Sequence, residues 1–253
     1  MICGLGSVGR RHLNNLVSLG VKDVILFRTG KATLPDEELD AYPQETNLLK
    51  ALEQWTPDAV VISNPTSLHM DVALPAADAG CHIFLEKPVS HSLEGLDTLI
   101  ELTELYLNDN LITELKGLSS LEKLNTFQIT SNQIEEIQGL ENCKNLQVLN
   151  LKNNKIRQIS GLYPLVKLNQ LFLSGNQISV IKGLETLQEL ETLDLGNNEI
   201  TKIKGLESLL NLKGLWLNEN PIDENILNGL GGLDSGGCAI DPLKFVEYCL
   251  VNL

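Results

Sequence analysis

Three glycines near the start of the chain, in Gly4-Leu5-Gly6-Ser7-Val8-Gly9, have the type and spacing to bring backbone against a phosphate. Between a strand and a helix, such glycines let main-chain amides approach a pyrophosphate at the positive end of the helix dipole. Ser7 and Val8 complete that loop. Metal chemistry has no comparable footing. His12, His69, His82 and His91 lack ligand spacing with any of the five cysteines, so no metal site is expected. Cys3, Cys81, Cys143, Cys238 and Cys249 are scattered and odd in number, with no Cys-x-x-Cys pair. That is the pattern of reduced, mostly packed thiols in a cytoplasmic protein.

A phosphate loop works only between the right elements. The helical stretch Arg10–Leu19 comes directly after it, and Val24–Phe27 reads as a second strand. Asn47–Trp55 is then a helix, Ala59–Ile62 a buried strand, His69–Ala79 a helix and His82–Leu85 another strand. Strands alternating with helices give an α/β class with a parallel sheet and right-handed crossovers.

Two further phrases, Ser63-Asn64-Pro65-Thr66-Ser67-Leu68-His69 and Glu86-Lys87-Pro88, join the glycine loop in a resemblance. Over roughly residues 1–101 the chain resembles the nucleotide-binding half of the Gfo/Idh/MocA (glucose–fructose oxidoreductase/inositol dehydrogenase) family. The resemblance implies NADP or NAD as cofactor, with Asn64, Pro65 and His69 on the loop that lies along it. It also implies that Glu86 and Lys87 lie beside the nicotinamide, with Lys87 as general acid/base. A lysine can take that role when burial or a cationic neighbour lowers its pKa. The alternative for Lys87 is a surface lysine at a strand end.

After the second strand, where the family has an acidic residue for the ribose hydroxyls, Arg28-Thr29 stand instead. Arginine can accept a 2′-phosphate, which favours NADP; a solvated strand end is the other reading of Arg28. Met1-Ile2-Cys3 leaves little for a first strand, and the family's substrate half does not come after the resembling segment. Catalysis is therefore not expected, since nothing would orient a substrate carbon.

From Leu102 to Pro221 the chain is a repeat. Asn110, Asn132, Asn154, Asn176, Asn198 and Asn220 stand 22 residues apart there, as do Gly95, Gly117, Gly139, Gly161, Gly183 and Gly205. The surrounding phrase, as in Leu190-Glu-Thr-Leu193-Asp-Leu195-Gly-Asn-Asn198, resembles the 22-residue leucine-rich repeats of phosphatase-regulator and internalin-type proteins. Its Leu-x-Leu step is strand spacing, which excludes a helical array. No unit can bury its leucines alone, so neighbours must stack into a solenoid.

The domain reading is a partial Rossmann NAD(P)-binding domain at 1–92, a shared helix at 93–101, six repeats at 102–222 and a C-terminal cap at 223–253. The Gly95 register places the seam inside one helix. Strand His82–Leu85 and the first repeat strand, Glu104–Leu107, are expected to pair in one continuous parallel sheet. Residues 229–237 read as a flexible loop, ahead of a capping helix that starts at Asp241-Pro242.

Alternate strand residues must face the concave side. Counted from the first leucine of each unit, position five reads Tyr106, Gln128, Asn150, Phe172, Asp194 and Trp216, and its aromatics suggest anchors for a protein partner. Residues 1–92 carry seven Lys and Arg against eleven Asp and Glu, leaving twelve against twenty-two of the chain's 19 and 33 for the rest. A net charge of −14 disfavours nucleic acid and favours a basic or neutral protein surface. No membrane partner is expected, and the oligomeric state is open.

Two readings remain. One is an interaction scaffold with a dinucleotide-binding remnant. The other is a dehydrogenase-like protein whose substrate half is missing or supplied by another chain.

Overall fold

The computed structural model describes residues 1–28, 39–65, 68–85 and 102–252. The chain forms two compact units, residues 1–90 and 91–253. Glu86, Lys87 and the shared helix expected at 93–101 lie outside the described residues.

The first unit alternates strands and helices. These are β1 (Ile2–Cys3), α1 (Ser7–Ser18), β2 (Leu26–Phe27), β3 (Gln44–Glu45), α2 (Leu48–Trp55), β4 (Ala59–Ile62), α3 (His69–Asp78) and β5 (His82–Leu85). All pairings are parallel, in the order β3-β2-β1-β4-β5. Strand alternation splits the core between the two faces. Ile2 and Leu26 pack with Leu13 of α1, while Cys3, Phe27, Val60 and Ile62 pack with Ala51 and Leu52 of α2 and Val72, Ala73 and Ala76 of α3. With helices on both faces, the central strands β1 and β2 are buried and need no polar side. Asn47 caps α2 by accepting from the Lys50 amide at 3.0 Å. Strand β3 was not legible, because Gln44-Glu45 is polar and sits at the sheet edge.

The second unit is the solenoid. Its strands are β6 (Glu104–Tyr106), β7 (Thr126–Gln128), β8 (Val148–Asn150), β9 (Gln170–Phe172), β10 (Thr192–Asp194) and β11 (Gly214–Trp216), stacked in parallel and in register. Behind them the chain returns through tight turns, as in the Leu121 amide to Leu118 carbonyl and Leu124 amide to Leu121 carbonyl bonds, both 3.1 Å. The recurring leucines and isoleucines, such as Leu149, Leu151, Ile156, Ile159, Leu162, Leu165 and Leu168, are sealed inside, while Leu111 and Leu210 off that pattern are exposed. Cys143 takes a leucine position and is equally buried.

Each turn is fastened by its asparagine. Asn154 is buried, and its Nδ2 donates to the carbonyls of Leu151 (3.0 Å) and Lys152 (3.2 Å) in its own turn and of Ile129 (3.0 Å) in the turn before. Its Oδ1 accepts from the amide of Ile134 at 3.0 Å. Asn132, Asn176, Asn198 and Asn220 repeat the pattern. The residue before each asparagine has a positive φ, from 50° at Asn197 to 71° at Gly175. On the return side a Cβ at Gly139 or Gly205 would stand 2.1 or 2.2 Å from a carbonyl oxygen of the preceding turn, so only glycine lets the turns close up there.

Two expectations need correction. Among the described residues the strands fall into two sheets rather than one, with β5 paired to β4 and β6 to β7. The next 22-residue unit offers β6 a strand of the same length and register in β7, and its ladder forms there. A short helix α4 (Glu224–Gly229) leads into residues 229–237, where the expected flexible loop is instead a bonded turn in which Asp234 Oδ1 accepts from the amides of Gly236 (2.8 Å) and Cys238 (3.0 Å).

That turn lays Cys238 antiparallel against Trp216, with the Ala239 amide bonded to the Leu215 carbonyl at 2.7 Å. The last strand edge is thereby covered. Helix α5 (Pro242–Val251) buries Phe245, Val246 and Cys249.

Replacing Asn154 with alanine strands buried backbone groups in two turns, so Asn154→Ala should cost roughly 3 kcal/mol or more. Asn145, whose amide bonds the Glu122 carbonyl at the surface, should cost under about 0.5 kcal/mol on the same change. Urea denaturation of both variants checks the contrast.

Candidate functional site

The glycine cleft lies where the strand order reverses, between β1 and β4, which is where open parallel sheets place ligands. Each glycine has its own reason. Gly4 has a φ of +87°, and a Cβ there would stand 2.3 Å from the Asn64 amide nitrogen. Gly9 packs so closely that a Cβ would meet the Gly4 carbonyl oxygen at 1.8 Å. Gly6, the N-cap of α1, has nothing within 4 Å of that position, so its outer side is open. Ser7 and Val8 come next, exposed in the first turn of α1.

The facing wall is the loop after β4. Ser63 Oγ donates to the Gly4 carbonyl at 2.7 Å, tying this loop to the glycine loop. Asn64 Nδ2 donates to the Leu68 carbonyl, whereas its Oδ1 is buried with no hydrogen-bond partner among the described residues. His69 is buried, and its Nε2 lies 2.7 Å from the Asn64 carbonyl, which can only accept, so Nε2 carries the hydrogen. His69 therefore holds the loop from below, and Pro65 is exposed on it.

The open face of Gly6, at the N-terminus of α1, fits a phosphate-bearing ligand. Arg28 closes β2, and its Nη1 donates to Gln44 Oε1 at 2.9 Å. Sequence reasoning missed that partner because β3 itself was missed. The stretch with Glu86 and Lys87 is outside the described residues.

The second candidate surface is the concave sheet of the repeats. Tyr106 is 53% exposed, and its hydroxyl donates to Glu104 Oε2 at 2.8 Å, which raises its pKa. Gln128, Asn150, Phe172 and Trp216 are partly exposed along the same row. Asp194 is different. It is buried, with Oδ2 2.6 Å from Lys152 Nζ and Oδ1 accepting from the Gly196 amide at 3.1 Å. Lys152 Nζ also stands 5.1 Å from the centroid of the Phe172 ring. The row was legible from the 22-residue period; this pairing across two units was not, because no spacing rule links positions 152 and 194. A groove of about 460 Å³ opens beside these residues and reaches Gly236 of the cap.

Among the described residues, no group of three or more His, Cys, Asp or Glu is placed to hold a metal, and no helix is long and apolar enough to cross a membrane. Burial pushes the Cys3 thiol up to about 12 and the Cys143 thiol up to about 11, so neither is a nucleophile near neutrality. At pH 8 iodoacetamide should label the partly exposed Cys81 and Cys238 of the folded chain and spare Cys3, Cys143 and Cys249 until urea is added. Mass spectrometry of the labelled peptides reads this directly.

Comparison with known proteins agrees with both halves. Residues 1–106 match the oxidoreductase family with an NAD-binding Rossmann fold, Gfo/Idh/MocA, and leucine-rich repeat models match in overlapping pairs from 100 to 230. A scyllo-inositol 2-dehydrogenase (NAD(+)) of Bacillus subtilis is 38% identical over 97 residues, 37% of this chain and 28% of that protein. A myo-inositol 2-dehydrogenase of Thermotoga maritima is 29% identical over 110 residues, 41% of this chain and 32% of that protein. The chain thus spans less than a third of these relatives' length.

Among solved structures, an internalin (InlF) of Listeria monocytogenes aligns with a TM-score of 0.60 at 25% identity, covering 76% of this chain and 64% of that one. The chain belongs to the leucine-rich repeat proteins, and its residues 1–106 match the NAD-binding Rossmann fold of the Gfo/Idh/MocA oxidoreductase family.

Proposed function

We propose that the chain is a protein-interaction scaffold that takes its partner on the concave repeat face and carries a dinucleotide-binding remnant. The carrying observation is the position-five row. Tyr106, Phe172 and Trp216 reach the surface of one in-register sheet, and stacked repeats present such sheets as extended binding surfaces. Of the eighteen residues at positions three, five and seven, only Glu104, Lys152 and Asp194 are charged. The acidity of the chain therefore lies off this face, which is polar and aromatic.

The immobilised full chain should retain a partner from an extract of its source cells. A Tyr106→Ser, Phe172→Ser, Trp216→Ser variant of unchanged melting temperature should lose it. Equal retention by the two proteins overturns this reading.

The second reading, that the glycine cleft still takes NADP or NAD, rests on the close-packed Gly4 and Gly9 and on the open Gly6 face at the N-terminus of α1. In it Gly4, Gly6, Ser7, Val8 and Gly9 meet the pyrophosphate, Asn64 donates or accepts along the ligand, and Arg28 faces the ribose end. The nicotinamide would supply hydride chemistry, for which Lys87 is the proton-transfer candidate by family likeness alone. Repeats come directly after this segment, so no turnover is expected of these residues by themselves.

A ligand that binds only the folded state raises its melting temperature. Millimolar NADPH or NADH should do so here, NADPH no less than NADH. Gly6→Ala should abolish the shift without lowering the unliganded melting temperature, since its Cβ has room in the protein. A flat response of the unaltered chain rules the second reading out.

A further inference from the structure

One cation already sits on the concave face, and it belongs to the chain itself. Lys152 reaches across two units to Asp194 and lies over the ring of Phe172. Phe172, Asp194 and Trp216 are Cα partners on three successive strands, so a carboxylate stands between two aromatics with roughly 4.8 Å between neighbours. This is the composition of a cation cage, with a negative floor and π-faces for walls.

Trp216 leans back over Gly214, where a Cβ would stand 2.7 Å from its ring, and this leaves the other side of the row open. Gly196 and Gly236 bring no side chain to that opening, and the groove of about 460 Å³ continues past Lys152 along them. A lysine with three donors at one point is a modest occupant for such a site. A planar guanidinium can hold a carboxylate through two hydrogen bonds and stack on an aromatic at once.

We infer that Phe172, Asp194 and Trp216 form a docking site for an arginine side chain of the partner, and that Lys152 is a resident stand-in which the arginine displaces. This rests on the concave face being the binding surface. Charge complementarity points the same way, because a chain of net charge −14 attracts a basic segment and a guanidinium matches carboxylate and ring together better than an ammonium does. Lys152 thereby has a regulatory role, since removing it vacates the site and strengthens binding. A lysine that merely contributed to the docking surface would have the opposite effect.

The chain has two tryptophans, Trp55 and Trp216, so the indole N–H signals of a ¹⁵N-labelled sample carry their own control. The probe is N-acetyl-arginine amide, titrated against its neutral isostere N-acetyl-citrulline amide and against N-acetyl-lysine amide. The Trp216 signal, assigned by its loss in Trp216→Phe, should move saturably with the arginine compound, less with lysine and not with citrulline, while Trp55 stays still. Lys152→Met keeps the aliphatic stem and should tighten arginine binding about fivefold, the worth of a partly exposed ion pair of about 1 kcal/mol. Asp194→Asn should weaken it at least tenfold.

Equal response to citrulline and arginine overturns the inference, as does unchanged or weaker binding in Lys152→Met. That second arm does not depend on whether Asp194→Asn folds. If Lys152→Met shows no gain while the triple aromatic variant still loses its captured protein, the cage is wrong and the scaffold stands. If arginine binds as described but nothing is captured, the scaffold reading fails and the site survives.

Discussion

The solenoid depends on one buried side chain used repeatedly. A leucine core gains free energy from burial without regard to direction, so leucines alone would let one turn slide over the next. The asparagine supplies what they lack. Its amide reaches two carbonyls in its own turn and one in the turn before, and its oxygen takes an amide from that earlier turn. Those backbone groups are sealed from water, where each unpaired one costs about 1–3 kcal/mol. A slip of one residue would break the whole set in both turns. The fixed 22-residue spacing is a consequence of that geometry.

The same demand to satisfy backbone at close quarters shapes the first unit, with glycine in place of asparagine. Gly9 lets α1 approach the Gly4 carbonyl, and Ser63 bonds that same carbonyl from the neighbouring loop. Three segments meet where no side chain fits, and the cleft is what remains open above Gly6. His69, which by type invites a catalytic reading, is used instead to hold Asn64 through its carbonyl. The orphan oxygen of Asn64 is the one polar atom in this arrangement that the described residues leave without a partner.

Charge is distributed with equal economy. Much of the negative balance lies in the repeat half, yet the concave strands are nearly neutral and their only lysine is committed to their buried aspartate. In the proposed scaffold role the acidic field would act at long range on an approaching partner, and contact on the face would be decided by aromatic area and hydrogen bonding. Closing the far edge with the Asp234 turn keeps the row ending at Trp216 from presenting a bare strand.

The sequence by itself determined every element whose signal is local or periodic. The strands at Ala59–Ile62 and His82–Leu85 are bounded by turn residues, the cap at Asn47 announces α2, and the 22-residue period sets the strands, the ladder asparagines and the outward row. Periodicity suffices there because each unit meets only its neighbours, so one unit's environment is the next one's. Tertiary structure decided the rest. Strand β3 is polar and exists through its edge partner, the 229–237 loop is shaped by the strand it covers, and β6 closes on β7 instead of extending the first sheet. The Lys152–Asp194 pairing joins positions that no period relates, because a long side chain on a stacked sheet reaches sideways across strands, a direction the linear sequence does not encode.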